Sequence, residues 1–283
     1  MELFKKKTKI PLVIAINQVD NLGVGWNDKI NLPMEDAQKA IEQRVHDVIK
    51  KLSLGSSVIS TDQIEYYSAL RAYRMHEVLK KLSKYAKSGT IIPCNPIRMT
   101  NKIAAKRGEE GGMPEDVAAA IDKSLDAMDQ QFAKYTLDRI VEQIKGQLDS
   151  EEDKEALINA WKQKKAETLR IGVIGKAGVG KTTTVNSLFQ AQFVTSRTVV
   201  GTHQAQYKDF KLPDGGSLTI VDMPGYGRSI ADDREYRDIY LNELPKCDII
   251  LMIVQANSSD FYDDQMMIKH LDEWGKAGFI KYE

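Results

Sequence analysis

The sequence predicts an α/β fold in which helices cover both faces of a doubly wound, mostly parallel sheet of six strands. Three observations favour this fold. Apolar runs of strand length alternate with segments whose apolar residues recur at helical spacing. A glycine-rich loop stands between one apolar run and a helical segment, and short polar motifs follow other runs. Because ligands bind at the carboxyl ends of strands in such sheets, these motifs are candidates for one shared site.

The chain has 283 residues, in which 40 basic side chains balance 40 acidic ones. This length allows one large or two modest domains, and the balanced charge gives no strong signal for binding nucleic acid or a membrane surface. Cys94 and Cys247 fit no metal-ligand spacing and are expected to be reduced thiols of a cytoplasmic protein. The longest apolar runs have strand length, so no membrane span is expected. The short apolar run after the basic start does not fit a signal peptide.

Residues 1–87 are predicted to supply two strands and two helices. Pro11–Ile16 is a continuous apolar run of strand length, which is typical of a parallel sheet covered on both faces. Glu35–Leu52 has apolar residues at helical spacing, which predicts a helix with one buried stripe. Ile64–Tyr67 predicts a second, short strand, followed by an amphipathic helix that ends near Tyr85.

Composition changes at residues 88–168, which we predict to be a helical insert or linker. Its first part is rich in proline and glycine and is expected to be irregular. Glu115–Leu148 and Glu151–Thr168 are rich in Ala, Leu, Lys, Glu and Gln with helical periodicity. The insert is a packed subdomain, a partner-binding arm or an oligomerisation surface, and packing is the commonest role of an apolar stripe.

The sheet pattern resumes in residues 169–283. Arg170–Ile174 predicts a strand that leads into the glycine-rich loop and then a helix. Gln206–Leu212 and Ser217–Val221 flank the sequence PDGG, which is a hairpin signal. Asp248–Gln255 predicts a further buried strand, and an amphipathic helix follows it.

The glycine-rich loop GKAGVGKT, Gly175–Thr182, fits the pattern G-x-x-x-x-G-K-[ST] between a predicted strand and helix. Glycines allow backbone amides to approach a triphosphate, and the helix N-terminus favours negative charge. Lys181 is expected to bridge the β- and γ-phosphates, and the Thr182 hydroxyl is expected to bind Mg²⁺. The predicted phosphate-binding residues are Lys176, Ala177, Gly178, Val179, Gly180, Lys181, Thr182 and Thr183.

The motif DMPG, Asp222–Gly225, follows a predicted strand and is expected to respond to the terminal phosphate. Asp222 is expected to hold Mg²⁺ through water, and the Gly225 amide to contact the γ-phosphate only in the triphosphate state. A threonine is also needed to close over the metal ion, and Thr202 is the predicted residue, with Thr198 as the alternative. The predicted metal ligands are Thr182, Thr202 and Asp222, and the predicted catalytic residues are Lys181, Thr202 and Gly225.

The motif NQVD, residues 17–20, has the chemistry to recognise guanine. The Asp20 carboxylate can accept hydrogen bonds from N1 and the exocyclic N2 of guanine, which adenine does not offer. Asn17 can reach O6 and N7 and brace the phosphate loop. The sequence SAL after the second strand is expected to offer its central amide to guanine O6. The predicted base-binding residues are Asn17, Gln18, Asp20, Ser68, Ala69 and Leu70.

These motifs together resemble the TRAFAC GTPases and, within them, the bacterial Era-like, YfjP-type GTP-binding proteins. The stretches that carry the resemblance are GKAGVGKTTTVNSLF, VDMPGYG, ELPKCDIILMIVQANSSD and PLVIAINQVD with the downstream SAL. They lie within residues 10–86 and 169–278. The resemblance implies a P-loop NTPase G domain that binds GTP and GDP with Mg²⁺. Because the base motif precedes the phosphate loop, the order resembles that of circularly permuted GTPases: residues 1–87 match the C-terminal half of a conventional G domain and 169–283 the N-terminal half.

Several positions depart from these families. Gln18 replaces the usual lysine of the base motif, whose stem lies on the base. Tyr226 stands directly after DMPG, where many Ras-like enzymes have a water-positioning glutamine, so slow turnover without a partner is expected. Gly178 replaces the asparagine of potassium-activated relatives, so potassium stimulation is not expected. Arg197 and Arg228 are candidate arginine fingers, although surface arginines are more often solvated.

The predicted function is a magnesium-dependent switch that binds GTP and hydrolyses it to GDP and phosphate, with a protein partner that reads the switch loops or the insert. One alternative is a ParA/MinD-like ATPase with a deviant phosphate loop, in which Lys176 is the signature lysine, although Ala177 departs from that family's KGG turn. Another is a nucleotide-binding scaffold without turnover. A dimer in which each half completes a neighbour's site also fits the motif order.

Overall fold

The computed structural model describes residues 10–27, 32–53, 59–71, 73–86, 150–156, 168–189, 204–211, 217–227 and 229–278. Most of the predicted insert at 88–168 lies outside these ranges. Within it, residues 151–156 are helical, and the next strand begins at Thr168.

Strands and helices alternate along the described chain, as the apolar pattern predicts, except for two short strands that follow the first strand and for the predicted hairpin. The strands are β1 (Leu12–Asn17), β2 (Trp26–Asn27), β3 (Leu32–Pro33), β4 (Ile64–Tyr66), β5 (Thr168–Gly175), β6 (Gln206–Lys211), β7 (Ser217–Asp222) and β8 (Ile249–Gln255). The α-helices are α1 (Glu35–Leu52), α2 (Met75–Tyr85), α3 (Lys181–Phe189), α4 (Ile230–Glu243) and α5 (Tyr262–Lys276). Within the described ranges, no helix has the length and apolarity needed to cross a membrane.

Six of these strands form one sheet in the order β4-β1-β8-β5-β7-β6. All neighbours are parallel except β6 and β7, which are antiparallel. The predicted α/β fold with a mostly parallel six-stranded sheet is therefore confirmed. Strand boundaries agree with the sequence pattern to within about two residues, which is the usual uncertainty of an element end. The two-residue strands β2 and β3 form a separate antiparallel pair that the sequence pattern did not predict, because each is too short to show alternation.

Helices cover both faces of the sheet, because the central strands are apolar on both faces. On β1, the side chains of Leu12, Ile14 and Ile16 join a core cluster with α1, α4 and α5. Val13 and Ala15, which point the opposite way, join a second cluster with α2 and α3. Alternate residues of one strand thus belong to opposite core layers, as expected for a buried parallel strand.

Strands from the beginning and the end of the chain are neighbours in the centre of this sheet. β1 pairs with β8 along its full length, from Leu12 opposite Ile250 to Asn17 opposite Gln255. A buried hydrogen bond also joins the two parts of the chain: the Tyr67 hydroxyl lies 2.7 Å from Thr184 Oγ1 on α3. Since Thr184 donates to the Gly180 carbonyl, Tyr67 is the donor in this pair.

Tyr67→Phe should lower the free energy of unfolding by about 1 kcal/mol, because it removes one buried hydrogen bond while Thr184 keeps its bond to Gly180. Urea denaturation at constant pH measures the change. Tyr85→Phe is the matched control, since its hydroxyl donates to the exposed Asp62 and its loss should change stability by less than about 0.5 kcal/mol. Equal effects of the two substitutions would contradict the bridging role of Tyr67.

Candidate functional site

The phosphate loop lies at the carboxyl end of β5 and leads directly into α3. Gly175, Gly178 and Gly180 have φ values of 155°, 85° and 92°. A Cβ atom at Gly175 would lie 2.4 Å from the Ile253 carbonyl oxygen, and one at Gly180 would lie 2.7 Å from Asn17 Nδ2. Only glycine combines these backbone angles with such close approach. The loop is therefore packed against β8 on one side and against the NQVD motif on the other.

Thr182 and Asp222 lie together, as their predicted role as metal ligands requires. The Thr182 hydroxyl donates to Asp222 Oδ2 over 2.6 Å. The other carboxylate oxygen, Asp222 Oδ1, is buried and has no hydrogen-bond partner in the described part of the chain. Burial also raises the pKa of Asp222. An unsatisfied buried carboxylate oxygen beside a threonine hydroxyl is the oxygen-donor set that Mg²⁺ prefers, so these residues fit the metal.

Lys181 and Gly225 also meet at the phosphate loop. Lys181 is buried, and its ammonium group donates to the Lys176 carbonyl oxygen over 3.2 Å. A Cβ atom at Gly225 would lie 2.8 Å from Lys181 Nζ and 2.8 Å from Ala177 Cα. The backbone of DMPG thus rests against the phosphate loop, with the Lys181 ammonium between them.

Asn17 connects the base motif to the phosphate loop. The residue is buried, with 3% of its surface exposed. Asn17 Nδ2 donates to the Val179 carbonyl oxygen over 3.0 Å, and Asn17 Oδ1 accepts from the Ala69 amide over 3.1 Å. One side chain therefore joins three predicted motifs that are far apart in the sequence.

The remaining base-motif residues surround this contact. Gln18 has a left-handed backbone, with φ at 65°, and its Nε2 donates to Val179 O over 3.4 Å. Asp20 is partly buried in the 3-10 turn that follows. Ser68 is buried, with its hydroxyl accepting from the Arg71 amide, and Leu70 is 63% exposed. The contacts predicted between Asp20 or Ala69 and guanine stay predictions.

The segment after DMPG is held by the phosphate loop and by the start of α5. The Ala177 amide donates to the Tyr226 carbonyl oxygen over 2.9 Å, and the buried Tyr226 hydroxyl donates to Asp264 Oδ1 over 2.7 Å. Lys176 Nζ forms an ion pair of 2.5 Å with Asp263. Burial raises the pKa of Asp264 to about 6, while the Asp263 carboxylate raises the pKa of Lys176.

The predicted second metal-binding threonine, Thr202, lies outside the described residues, as do its alternative Thr198 and the candidate fingers Arg197 and Arg228. Thr183, the last predicted phosphate-binding residue, is exposed in the first turn of α3. Its contact with a phosphate stays a prediction.

Sequence reasoning missed Gln255, Asp263 and Asp264. Gln255 lies opposite Asn17 in the sheet, where its Nε2 donates to Gln18 Oε1 over 2.9 Å. Strand register alone brings these residues together, and register is not visible in the local sequence. The two aspartates could have been noticed as acidic residues in the first turn of a predicted helix, a position that usually indicates only helix stabilisation.

Comparison with known proteins gives one family match. Residues 170–280 match the family model described as a 50S ribosome-binding GTPase, a segment that includes the phosphate loop, DMPG and β8. The matched segment is less than half of the 283-residue chain.

Two similar curated proteins come from Escherichia coli strain K12. The uncharacterised protein YkfA is 35% identical over 88 residues, which are 31% of this chain and 30% of that protein. The uncharacterised protein YfjP is 34% identical over 96 residues, 34% of this chain and 33% of that protein. The chain thus spans about a third of the length of these relatives.

Two matches of lower sequence identity cover a larger share of this chain. GTPase Der of Thermosipho africanus is 21% identical over 191 residues, which are 66% of this chain and 43% of that protein. The crystal structure of Toc33 from Arabidopsis thaliana in complex with Mg²⁺ and GMPPNP aligns with a TM-score of 0.32 and 25% identity, covering 46% of this chain and 55% of Toc33. The family match supports a P-loop GTPase fold for residues 170–280, and the curated relatives are similar to this chain over 31% to 66% of its length.

Proposed function

We propose that the protein is a magnesium-dependent switch that binds GTP and hydrolyses it to GDP and phosphate. The observation that carries this proposal is the buried Asn17 amide, which bonds both the phosphate loop at Val179 and the SAL motif at Ala69. These contacts lie within a single chain. A guanine-reading motif and a triphosphate-reading motif thus have the proximity that one nucleotide requires.

The chain order of the motifs supports a circularly permuted G domain. In this proposal, residues 1–87 are the C-terminal half of a conventional G domain, residues 169–283 are the N-terminal half, and residues 88–168 connect them. β1 lies between β4 and β8 in one continuous sheet, so both halves complete the same core. Permutation leaves the ligand loops intact when the new chain ends lie away from the carboxyl edge of the strands.

Lys181, Thr182 and Asp222 would hold the triphosphate and its Mg²⁺. When bound, the metal ion would neutralise charge on the β- and γ-phosphates. Lys181 would place its ammonium on the same oxygens, and Gly225 would offer its amide to the γ-phosphate. Attack of water on the γ-phosphorus breaks its bond to the bridging oxygen, which leaves with GDP. A protein partner would read the switch loops or the helical insert, and a cytoplasmic location is expected.

Calorimetric titration of nucleotide-free protein should show one GDP bound per chain, with ADP at least about 100-fold weaker, because only guanine donates from N1 and N2 to Asp20. Asp20→Asn should weaken the binding of GDP and strengthen that of xanthosine diphosphate, whose C2 carbonyl oxygen can accept a hydrogen bond from the new amide. Equal or tighter ADP binding would instead support the ATPase alternative. If only a species of twice the monomer mass binds GDP, this would support the domain-swapped dimer.

Lys181→Ala should reduce the rate of single-turnover GTP hydrolysis by about 100-fold or more, because it removes the ammonium group that would neutralise charge on the transferred phosphate. Lys269→Ala is the matched control, since this exposed lysine on α5 pairs only loosely with Glu273 and should leave turnover unchanged. The unmodified protein should itself be slow, because the Tyr226 hydroxyl is buried on Asp264 and does not position water. Absence of any turnover would favour the scaffold alternative, and rapid turnover without a partner would refute slow hydrolysis.

Asp264, at the start of α5, should make the free energy of unfolding depend on pH. Because burial raises the pKa of Asp264 to about 6 from an ordinary value of 3.8, the folded protein binds this proton more tightly than the unfolded chain does. The contribution of Asp264 to the free energy of unfolding is therefore largest below about pH 4 and is lost as the pH rises through 6.

Asp264→Asn should remove this dependence while keeping an acceptor for the Tyr226 hydroxyl. Relative to the variant, the unmodified protein should lose on the order of 2 kcal/mol of unfolding free energy between about pH 4 and pH 6.5. Urea denaturation of both proteins at each pH measures the difference. A difference that does not change with pH would contradict the raised pKa.

A further inference from the structure

We infer that Gln255, at the end of β8, is a positioning residue for the guanine site: it bonds the acceptor end of the Gln18 side-chain amide and so stabilises the donor end against the phosphate loop. This inference rests on the proposed function and adds to it a residue outside the phosphate loop and the DMPG, NQVD and SAL motifs. It acts through Gln18 and does not itself contact the nucleotide.

Two hydrogen bonds run in one direction through these side chains. Gln255 Nε2 donates to Gln18 Oε1 over 2.9 Å, and Gln18 Nε2 donates to the Val179 carbonyl oxygen over 3.4 Å. Strand pairing holds the first member in place, since Gln255 is the register partner of Asn17 and the next amide, Ala256 N, donates to Asn17 O over 2.8 Å.

The direction matters because a glutamine amide has a donor end and an acceptor end of nearly the same shape. If Gln18 were reversed, its Oε1 would face the Val179 carbonyl oxygen and two acceptors would be in contact. The Val179 carbonyl oxygen only accepts, so it favours Gln18 with Nε2 toward the loop, and the donor from Gln255 satisfies Gln18 Oε1 on the opposite side and stabilises that orientation. A lysine at position 18 would need no such help, because an ammonium group only donates.

The orientation of Gln18 bears on nucleotide binding because Gln18 lies between the two residues that read the base. Asn17 precedes it and Asp20 follows after one buried residue, Val19. Gln18 and Asn17 both bond the same carbonyl oxygen, Val179 O. Loss of the Gln18 bond would leave Asn17 alone to hold this turn against the phosphate loop, and the Asp20 carboxylate would be less well placed.

Gln255→Glu is the sharpest test, because it keeps the size of the side chain and replaces the donor with a second acceptor. The carboxylate would attract Gln18 Nε2 and turn Oε1 toward Val179. We expect the Kd for GDP to rise about tenfold, because one hydrogen bond is lost and two acceptors, Gln18 Oε1 and Val179 O, are brought into contact. Gln255→Met removes the donor without reversing Gln18, so it should raise the Kd for GDP by a smaller factor of about three.

Adding Gln18→Lys to Gln255→Glu should restore the Kd to within about twofold, because one ammonium group can donate to both Val179 O and the carboxylate. A merely structural role of Gln255 would not be rescued in this way. The matched control is Gln265→Glu, which makes the same change at a glutamine whose Nε2 donates to the Lys51 carbonyl oxygen at the end of α1 over 2.8 Å and makes no contact with Gln18. It should leave GDP affinity unchanged. Thermal unfolding of each variant measures its stability separately.

The outcomes distinguish this inference from the proposed function. Tenfold weakening by Gln255→Glu with rescue by Gln18→Lys supports it. It is overturned if the unmodified protein binds GDP but Gln255→Glu binds equally well, or if the second substitution does not rescue binding. Should Gln255→Glu fail to fold, unchanged GDP affinity in Gln255→Met would overturn it, and weaker affinity there would support it. If the unmodified protein binds no GDP, the proposed function and this inference both fail.

Discussion

The candidate site depends on one buried side-chain amide. Asn17 donates to Val179 in the phosphate loop and accepts from Ala69 in the SAL motif, so it satisfies two backbone groups that are otherwise unrelated in sequence. Buried polar groups are costly unless they are paired, and asparagine, with a donor and an acceptor on one short side chain, pairs with both at once. Gly180 makes the contact possible, because any larger residue there would occupy the space of the Asn17 amide.

The sheet brings Asn17 to this position. β1 and β8 are parallel and in register, so their carboxyl ends meet at the same edge as those of β5 and β7. The order of strands along the chain is immaterial to this convergence, because each loop is positioned by the strand that precedes it. This is why a chain that presents its base motif first and its phosphate loop later can still assemble both at one edge.

Charge is distributed unevenly around the phosphate loop. The buried Asp222 carboxylate faces Thr182 and has one oxygen without a hydrogen-bond partner among the described residues, whereas Asp263 and Asp264 on α5 bond Lys176 and Tyr226. The Tyr240 hydroxyl donates to the Pro224 carbonyl, which anchors the same segment from α4. Residues 223–227 are therefore attached on several sides by polar contacts. Polar contacts can be exchanged for others with little net change in free energy. This suits a segment that is proposed to change conformation between nucleotide states.

The sequence by itself determined the α/β class, the six sheet strands and the motifs that follow β1, β4, β5 and β7, because the apolar period and the glycine-rich pattern are local properties, as in Pro11–Ile16 and Gly175–Thr182. It did not reveal β2 and β3, which are too short for a pattern. Only the tertiary structure decided that Asn17 reaches Val179, that Gln255 reaches Gln18 and that the start of α5 holds Tyr226. These contacts join residues far apart in the chain, and they follow from strand register and helix packing, which no local stretch of sequence encodes.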